Sequence, residues 1–424
     1  MRILLTNNTL ALHAGTEMVV RDVALRLKEL GHEPMCFTLD PGPVAEMLQA
    51  AGVLVVDDLT ALPAVPEVIH GHHLVETTLA AMHFPRIPVI SFCHGSAPWQ
   101  EAPCRLPNVR RWVAVDRVTL RRLTETEGLP AEQVVLMWNA VDTRRFRVRA
   151  PLPARPRRAL VFSNTAKEST HIPVIRTACA ARGIALEVAG AGAGKLTRCP
   201  EQLLPEFDLV FAKARAAMEA MAVGCAVIQA DYFGAGHLVT TARFDALREM
   251  NFGLESMTHP LTTEHLLAEM DAYDPAEAAR VRDRIRGEGS LDDAMGKLLR
   301  LYETVRCELV PAFSPAVEAH DFLRVLASLG KRYFGEIKRA PDRVLHLPLP
   351  LSKGQSVHDQ IDAAIDGHET QAARAERLRT ERRNTVERLA AAKAELAAAK
   401  GPKLPVRGSA LRRWWRSLTG KQSP

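Results

Sequence analysis

The sequence lacks any pair of cysteines at the spacing used for zinc binding or for a disulfide framework. Its seven cysteines are an odd number, are scattered through the chain and include no CxxC pair. Several lie within apolar runs, such as VISFCHG and VGCAVI. This pattern is typical of buried, reduced thiols, so it argues against a secreted disulfide scaffold and predicts a cytoplasmic protein.

Long apolar runs are also absent. No run approaches the roughly 18 residues that a membrane-spanning helix needs, and the opening segment MRILLTNN is apolar only over the length of a strand. The sequence therefore predicts neither a transmembrane helix nor a secretory signal peptide. Its apolar fraction of 47% and its charged fraction of 25% are those of a globular protein.

The net charge of +6 arises at one end of the chain. Residues 401–424 hold six of the 55 Lys and Arg residues and no acidic residue, so the rest of the chain has 49 basic and 49 acidic residues. A body of balanced charge argues against nucleic acid as a partner, because a nucleic-acid-binding domain carries a basic face of its own.

The length of 424 residues predicts two domains with additional segments. In residues 1–146, MRILLT, EPMCFTL, VLVV, EVIHGHH, IPVISFCHG and VRRWVAVD are predicted strands, and TEMVVRDVALRLKELGH and GPVAEMLQAAG are predicted helices. We expect the first of these helices to stop at Gly31. Continuous apolar strands separated by helices predict a parallel sheet that is covered on both faces.

A second unit of the same kind follows. Residues 147–158, rich in Pro and Arg, predict a linker. Residues 159–338 predict a second domain with strands ALVFSN, ALEVAG, DLVFA and CAVIQAD, helices THIPVIRTACAARG and RAAMEAMAVG, and closing helices from Thr262 onward. The predicted fold class is therefore α/β, with two tandem Rossmann-like, doubly wound domains and a ligand site in the cleft between them.

Three segments extend the chain beyond these domains. Residues 339–357 predict a Pro-rich linker, and residues 358–400 predict one or two long helices. An imperfect heptad pattern leaves two interpretations of these helices, a coiled coil for self-association or a solvated single helix. The tail 401–424 combines Arg with Trp, which predicts either peripheral contact with the inner face of a membrane or a disordered terminus.

Two glycine-containing turns follow predicted strands. In HAGTEM at 13–18, Gly15 can open a helix whose free backbone N–H groups bind an anion, although an ordinary helix cap explains the fragment equally well. AGAGAGK at 189–195 lacks the residues that a phosphate-binding P-loop requires at positions 189 and 196. Gly190 is instead predicted to let the backbone approach a ligand, because it has no Cβ.

Four histidines lie near predicted strand ends: His70, His72, His73 and His94. Their spacing matches no recognised metal-binding motif such as HExxH, so a metal site is the weaker interpretation. A hydrogen bond to a substrate or a cap on the adjacent helix is the favoured one. His94 is the best candidate, because the Gly and Ser that follow it form an open turn.

Three segments together resemble one known family. MRILLTNNTLALHAGTEMVVRDVALRLKELGHE resembles the opening strand, glycine loop and helix of glycosyltransferases with the two-Rossmann GT-B fold. The segment ending in WNAVDTRRF resembles the element that closes their first domain, with WNAVD at 138–142 where the usual form is PNGVD. FAKARAAMEAMAVGCAVIQAD resembles the donor-site helix of glycosyltransferase family 4 (group 1). The resemblance covers about residues 1–300 and implies a GT-B fold.

The resemblance also implies which residues bind the donor. Glu219 matches the family's glutamate that accepts hydrogen bonds from the ribose hydroxyls of a nucleotide sugar, and a carboxylate suits a diol because it only accepts. Lys167 best matches the basic residue that follows the first strand of the second domain. Gly15 would let the glycine loop approach the diphosphate, and Gly190 would line the same site.

The catalytic assignment departs from the usual family pattern. The family's second glutamate, eight positions before the first, is replaced by Phe211, and the stretch from Asp208 to Glu219 is shorter than usual. Lys213 and Arg215 in this shortened loop are predicted to contact phosphate. His94 is predicted to face the acceptor and the sugar.

The function implied by the resemblance is the transfer of a hexose-type sugar, with retention, from a nucleotide-diphosphate sugar to an unknown glycan or lipid-linked acceptor. No cofactor is expected, and no metal, because the family relies on basic side chains and helix N-termini and the sequence has no Asp-x-Asp. Two alternatives stay open. One is a nucleotide-sugar epimerase, and the other is a non-catalytic scaffold that recruits partners through its arm and tail.

Overall fold

The computed structural model describes residues 1–96 and 99–314. The predicted linker 339–357, helical segment 358–400 and basic tail 401–424 lie outside the described residues, as do residues 315–338 of the second predicted domain. The described chain forms two β-sheets with helices packed against them.

The first sheet is parallel throughout. Its strands are β1 (Arg2–Thr6), β2 (Glu33–Phe37), β3 (Leu54–Val56), β4 (Val68–His72), β5 (Val89–Cys93), β6 (Val109–Ala114) and β7 (Val134–Leu136). Their order across the sheet is β3-β2-β1-β4-β5-β6-β7, with every neighbouring pair parallel. The central strands β4 and β5 are buried along their whole length, although β4 contains two histidines.

The helices of this domain connect the strands. They are α1 (Gly15–Glu29), α2 (Pro43–Ala50), α3 (Leu74–His83) and α4 (Arg117–Arg121). Helices α1 and α2 confirm the two predicted helices. Gly31 follows α1 with φ at +79°, the left-handed conformation that glycine adopts most readily at the end of a helix. Asp116 caps α4, because its carboxylate accepts a hydrogen bond from the backbone N–H of Thr119 at 2.6 Å.

The second sheet has five strands and one antiparallel edge. Its strands are β8 (Arg158–Phe162), β9 (Ala185–Ala189), β10 (Leu209–Ala212), β11 (Ala226–Asp231) and β12 (Gly234–Leu238), in the order β12-β11-β10-β8-β9. Strands β8 to β11 confirm the predicted ones, and β12 runs antiparallel to β11. The prediction of two tandem Rossmann-like domains is therefore confirmed.

Six helices surround this sheet in the described chain: α5 (Ile172–Ala181), α6 (Pro200–Leu203), α7 (Ala214–Val223), α8 (Thr241–Glu249), α9 (Thr263–Asp271) and α10 (Pro275–Glu288). Helix α7 packs against α10 and against the sheet. Its Ala217, Ala220 and Ala222 are fully buried, since small side chains let these elements approach closely. Gly224 ends α7 with φ at +105°.

The last described helix, α11 (Leu291–Arg306), returns to the first domain. Its buried side chains Leu291, Met295, Leu298 and Tyr302 belong to the core formed by β1, α1 and β4. The sequence-based division placed this segment in the second domain, whereas its packing joins it to the first. The reason is that the amphipathic period of a helix shows that one face is buried but not against which sheet.

The two chain crossings between the domains run side by side. The backbone N–H of Val141 donates to the carbonyl of Gly289 at 2.9 Å, and the N–H of Leu291 donates to the carbonyl of Val141 at 2.9 Å. The Asp142 carboxylate also accepts from the backbone N–H groups of Arg144 and Arg145, at 3.0 and 3.2 Å. The WNAVD segment thus forms a hydrogen-bonded junction between the domains.

All seven cysteines are free thiols, and five of them are buried, as their apolar surroundings predicted. Within the described ranges, none of the helices has the length and apolarity needed to cross a bilayer.

Charged side chains also join the domains across their facing helices. Arg215 of α7 pairs with Asp22 of α1, whose carboxylate also pairs with Arg21. The Asp22 and Arg215 side chains are only 4% and 13% exposed. A second pair across the domains, Arg117 with Glu249 at 3.1 Å, is about half exposed on both sides. The first pair should matter far more for stability, since water screens the second.

We expect Asp22→Asn to lower the free energy of unfolding by about 3 kcal/mol, because it leaves the buried guanidinium groups of Arg21 and Arg215 underpaired. Glu249→Gln, which removes a charge from an exposed pair, is the matched control. It should change the free energy of unfolding by less than about 1 kcal/mol. Urea denaturation of both variants measures the difference. Equal effects would show that the buried pair does not hold the domains together.

Candidate functional site

A cleft lies where the carboxyl ends of β1, β8, β9 and β10 face one another. It contains about 640 Å³ of empty space, part of it open to solvent. Its lining comes from the start of α1, the turn after β8, the glycine turn after β9 and the start of α7. Parallel α/β sheets bind ligands beyond the carboxyl ends of their strands, so this cleft is the candidate site.

The start of α1 presents its backbone to the cleft. Ala14 is the N-cap residue and has no side-chain oxygen that could cap the helix. A Cβ added to Gly15 would meet no atom within 4 Å, so the space beside this residue is open. The arrangement favours the anion-site interpretation of HAGTEM over an ordinary side-chain cap.

Gly190 lines the cleft, but a second reason explains its identity. Its φ is +147°, and a Cβ at this position would lie 2.0 Å from the carbonyl oxygen of Ser163. The close approach of β9 to the turn after β8 therefore requires glycine here, whether or not a ligand is bound.

Glu219 lies on the cleft side of α7 and is 6% exposed. Its Oε1 accepts a hydrogen bond from Arg215 Nε at 2.7 Å. Burial raises the pKa of Glu219, and the Arg215 guanidinium only partly offsets that effect. Its other oxygen, Oε2, has no hydrogen-bond partner in the described part of the chain.

The Arg215 guanidinium also pairs with Asp22, and the pKa values of Glu219 and Asp22 shift in opposite directions. Burial acts to raise the pKa of Asp22, but Arg215 and Arg21 together outweigh it and lower the pKa. Asp22 is therefore firmly charged and anchors Arg215. Arg215 in turn fixes the orientation of Glu219 toward the cleft.

The cleft lining includes the guanidinium of Arg198. Burial lowers the pKa of His13, and Arg198, Arg21 and Arg145 lower it further. Arg198 lines the cleft, and it forms no ion pair with any residue of the described ranges. A guanidinium without an ionic partner among the described residues favours an anionic ligand. The sequence interpretation did not include Arg198, which follows the glycine turn in an irregular loop.

Lys167, a predicted donor-binding residue, lies outside the cleft lining. It is exposed in the turn after β8, where its backbone N–H donates to Thr170 Oγ1 at 3.0 Å, and it does not line the cleft. The neighbouring Asn164 lines the cleft instead and donates to the backbone carbonyl of His13 at 3.1 Å. This hydrogen bond joins the two walls of the cleft.

Lys213 is the single residue between β10 and α7, which accounts for the shortened loop. Its ammonium group pairs at 2.5 Å with Asp231, a fully buried carboxylate that also accepts from Thr165 Oγ1 at 2.9 Å. Lys213 does not line the cleft. Phe211, at the position of the family's second glutamate, is fully buried in the core of the second domain.

His94 lines a second cavity of about 510 Å³ of empty space, which adjoins the cleft through Arg215. Its Nε2 is 2.7 Å from His72 Nδ1, and the two rings stack. Its backbone N–H donates to Glu101 at 2.7 Å, and the same carboxylate pairs with His73 at 3.3 Å. His94 is thus held in a fixed orientation by residues of the first domain.

Further histidines continue this stack into the core. His70 stacks on Phe92 with ring centroids 4.0 Å apart, and its Nδ1 is 2.5 Å from the hydroxyl of Tyr302 in α11. Burial lowers the pKa of His70 to about 3 and that of His94 to about 4. Burial also lowers the pKa of His72 well below its usual value. The stack is therefore neutral at physiological pH.

This chain is similar to known glycosyltransferases in sequence and in fold. The family model for Glycosyltransferase Family 4 matches residues 13–145. A glycosyltransferase from Rickettsia africae ESF-5 has 14% identity and a TM-score of 0.54, over 72% of this chain and 99% of that one. HepE from Anabaena, solved in complex with UDP and glucose, has 13% identity and a TM-score of 0.53, over 72% and 100%.

A search of the curated proteins finds no match. At these identities the solved structures establish the fold, and the family model covers the first domain. The chain thus has the GT-B fold, and its resemblance to glycosyltransferase family 4 is confirmed.

The buried histidines predict a pH dependence of stability. The unfolded chain binds a proton at His70 near pH 6.5, whereas the folded chain does so only near pH 3. The stability linked to neutral His70 is therefore complete above pH 6.5 and is lost as pH falls. We expect the free energy of unfolding of the wild type, relative to His70→Asn, to fall by up to about 1.4 kcal/mol per pH unit below pH 6.5.

Urea denaturation of the wild type and of His70→Asn at about pH 6.5, 5.5 and 4.5 gives the difference between their free energies of unfolding. Other titrating groups are shared, so their contributions cancel. A constant difference across the range would mean that His70 accepts a proton within the folded protein.

Proposed function

We propose that this protein is a glycosyltransferase that binds a nucleotide-diphosphate sugar in the cleft between its two domains. The observation that carries the proposal is the geometry of that cleft, where buried Glu219, the uncapped start of α1 and Arg198 line one space. The family 4 match over residues 13–145 supports the same activity.

Glu219 is the proposed ligand of the donor ribose. Arg215 holds its Oε1, and Oε2 has no partner in the described residues, so this oxygen can accept a hydrogen bond from a ribose hydroxyl. A charge-assisted hydrogen bond inside a buried site is stronger than one in water. Gly15 and Gly190 border the space in which the nucleotide would lie.

The diphosphate would lie against the start of α1 and Arg198. Backbone N–H groups at a helix N-terminus favour negative charge, and a guanidinium binds phosphate oxygens through two donors. Both groups would stabilise charge on the leaving diphosphate. We propose catalysis without a metal at this site, and no cofactor other than the donor substrate.

His94 and Arg215 are the proposed groups on the acceptor side. Both line the cavity beside the cleft, and Arg215 also borders the donor space, so the sugar would lie between them. A neutral His94 can hydrogen-bond a sugar or acceptor hydroxyl through Nδ1. Attack of the acceptor on the same face of the sugar as the leaving diphosphate would retain the anomeric configuration. Proton NMR of the product determines that configuration.

UDP is the first nucleotide to test, because HepE from Anabaena was solved with UDP and glucose. A hexose donor and a glycan or lipid-linked acceptor remain proposals. So do a cytoplasmic location, membrane contact through 401–424 and self-association through 358–400.

A non-catalytic scaffold is the second candidate function. The observation in its favour is Phe211, a buried apolar side chain where the family has its second glutamate. Such a scaffold would bind the nucleotide but release no nucleoside diphosphate from any nucleotide sugar, with or without an acceptor. An epimerase would instead interconvert two nucleotide sugars, which chromatography of the reaction mixture detects.

We expect Glu219→Gln to weaken binding of the preferred nucleoside diphosphate by about 10- to 100-fold, because a hydrogen bond to a charged group contributes about 1.5–3 kcal/mol. The wild type should also bind the 2′-deoxy analogue more weakly than the ribonucleotide, and the variant should not distinguish them. Isothermal titration calorimetry gives all four dissociation constants.

Glu206→Gln is the matched control, because Glu206 is exposed and pairs with Arg158 at 3.1 Å, away from the cleft. It should bind both nucleotides as the wild type does. Retained ribose discrimination in Glu219→Gln would remove Glu219 from the donor site. Absence of binding by the wild type to any nucleoside diphosphate would overturn the proposed function itself.

A second pair of variants locates the diphosphate. We expect Arg198→Gln to weaken nucleoside diphosphate binding by about tenfold, with a smaller effect on the monophosphate, because it removes a guanidinium that faces the cleft. Lys167→Gln, in the neighbouring turn, should leave both affinities unchanged. The reverse outcome would assign the diphosphate contact to Lys167, as the sequence resemblance implied.

A further inference from the structure

Three histidines come together beside β12, the edge strand of the second sheet, away from the cleft. His237 lies on β12, His259 lies on the segment that pairs with β12, and His265 lies in the first turn of α9. Each histidine contributes one ring nitrogen to a group of three. These three nitrogens all lie within 4.8 Å of one another. None of the three lines either cavity described above.

Each ring is oriented by a hydrogen bond on one of its nitrogens. His237 Nδ1 is 2.7 Å from the Glu269 carboxylate, and His265 Nε2 is 2.8 Å from the carbonyl oxygen of Gly236. His259 Nδ1 is 3.2 Å from Thr258 Oγ1. The second nitrogen of each ring has no hydrogen-bond partner among the described residues, so it can bind a ligand. Histidines that bind metals are held in this way, often by a carboxylate or a backbone carbonyl.

The backbone that carries these rings is itself well fixed. Ala235 and His259 exchange two backbone hydrogen bonds, at 2.8 and 3.0 Å. Glu269 lies one turn after His265 on α9, is buried, and also accepts from the backbone N–H of Leu238 at 2.7 Å. Strand, loop and helix therefore hold the three imidazoles at one place.

We propose that His237, His259 and His265 form a binding site for a divalent first-row metal ion of the Zn²⁺ type. Imidazole is a preferred ligand of Zn²⁺, and three histidines leave the fourth tetrahedral position for water. Bound there, the ion connects the edge strand β12 to α9. It is distinct from the donor site, so it takes no part in the transfer proposed above.

The test is metal titration of the full-length, tag-free protein after treatment with a chelator. Co²⁺, followed by the visible absorption of tetrahedral cobalt and then displaced by Zn²⁺, should bind with one equivalent per chain. His259→Asn should weaken binding at least tenfold. Glu269→Gln should weaken it by about 10- to 100-fold, because it removes the partner that orients His237.

His83→Asn, an exposed histidine at the end of α3, is the matched control and should bind as the wild type does. Metal-free melting temperatures of all variants show whether each one is folded. Zn²⁺ should raise the melting temperature of the wild type and of His83→Asn but not that of His259→Asn. Lack of Co²⁺ binding by the wild type, or equal binding by His259→Asn and His83→Asn, would overturn the proposal.

Discussion

The guanidinium of Arg215, shared between Asp22 and Glu219, is the constraint on which the cleft depends. It joins α1 of one domain to α7 of the other and fixes the carboxylate that faces the ligand space. Because these charges are buried, each needs its partners, and losing one leaves the others uncompensated. Arg215 therefore links the orientation of Glu219 to a contact between the domains, and a group that competes for Glu219 also acts on that contact.

Most strands and the helices α1, α2, α5 and α7 could be predicted, because apolar runs indicate strands and glycines indicate helix ends, whereas α3, α4, α6 and α8 were not predicted. Gly31 and Gly224 end helices as glycine does. Two strands were missed for physical reasons. Val134–Leu136 is short and only half buried, and Gly234–Leu238, with two glycines and a histidine, has neither strand propensity nor an alternating pattern. The partner of α11 was also missed, because periodicity does not identify the opposing surface.

The site could be predicted only in part. Glu219 and Gly15 could be named as candidates because they lie in local segments that resemble a family, and the structure places both in the cleft lining. Asp22 and Arg198 were not among the candidates, because their positions at the cleft result from contacts between elements far apart in sequence. A signal for Asp22 was present, since it lies four residues after buried Met18 on the same face of α1, where a charge requires a partner.

The return of α11 to the first sheet has a consequence for how this protein is made. Tyr302 is fully buried and its hydroxyl contacts His70, so the first core contains a residue that emerges from the ribosome 232 positions later. Until the chain has been translated past Arg306, the N-terminal half has an exposed apolar groove on β1, α1 and β4. The first domain consequently cannot complete its core until the second domain has been synthesised.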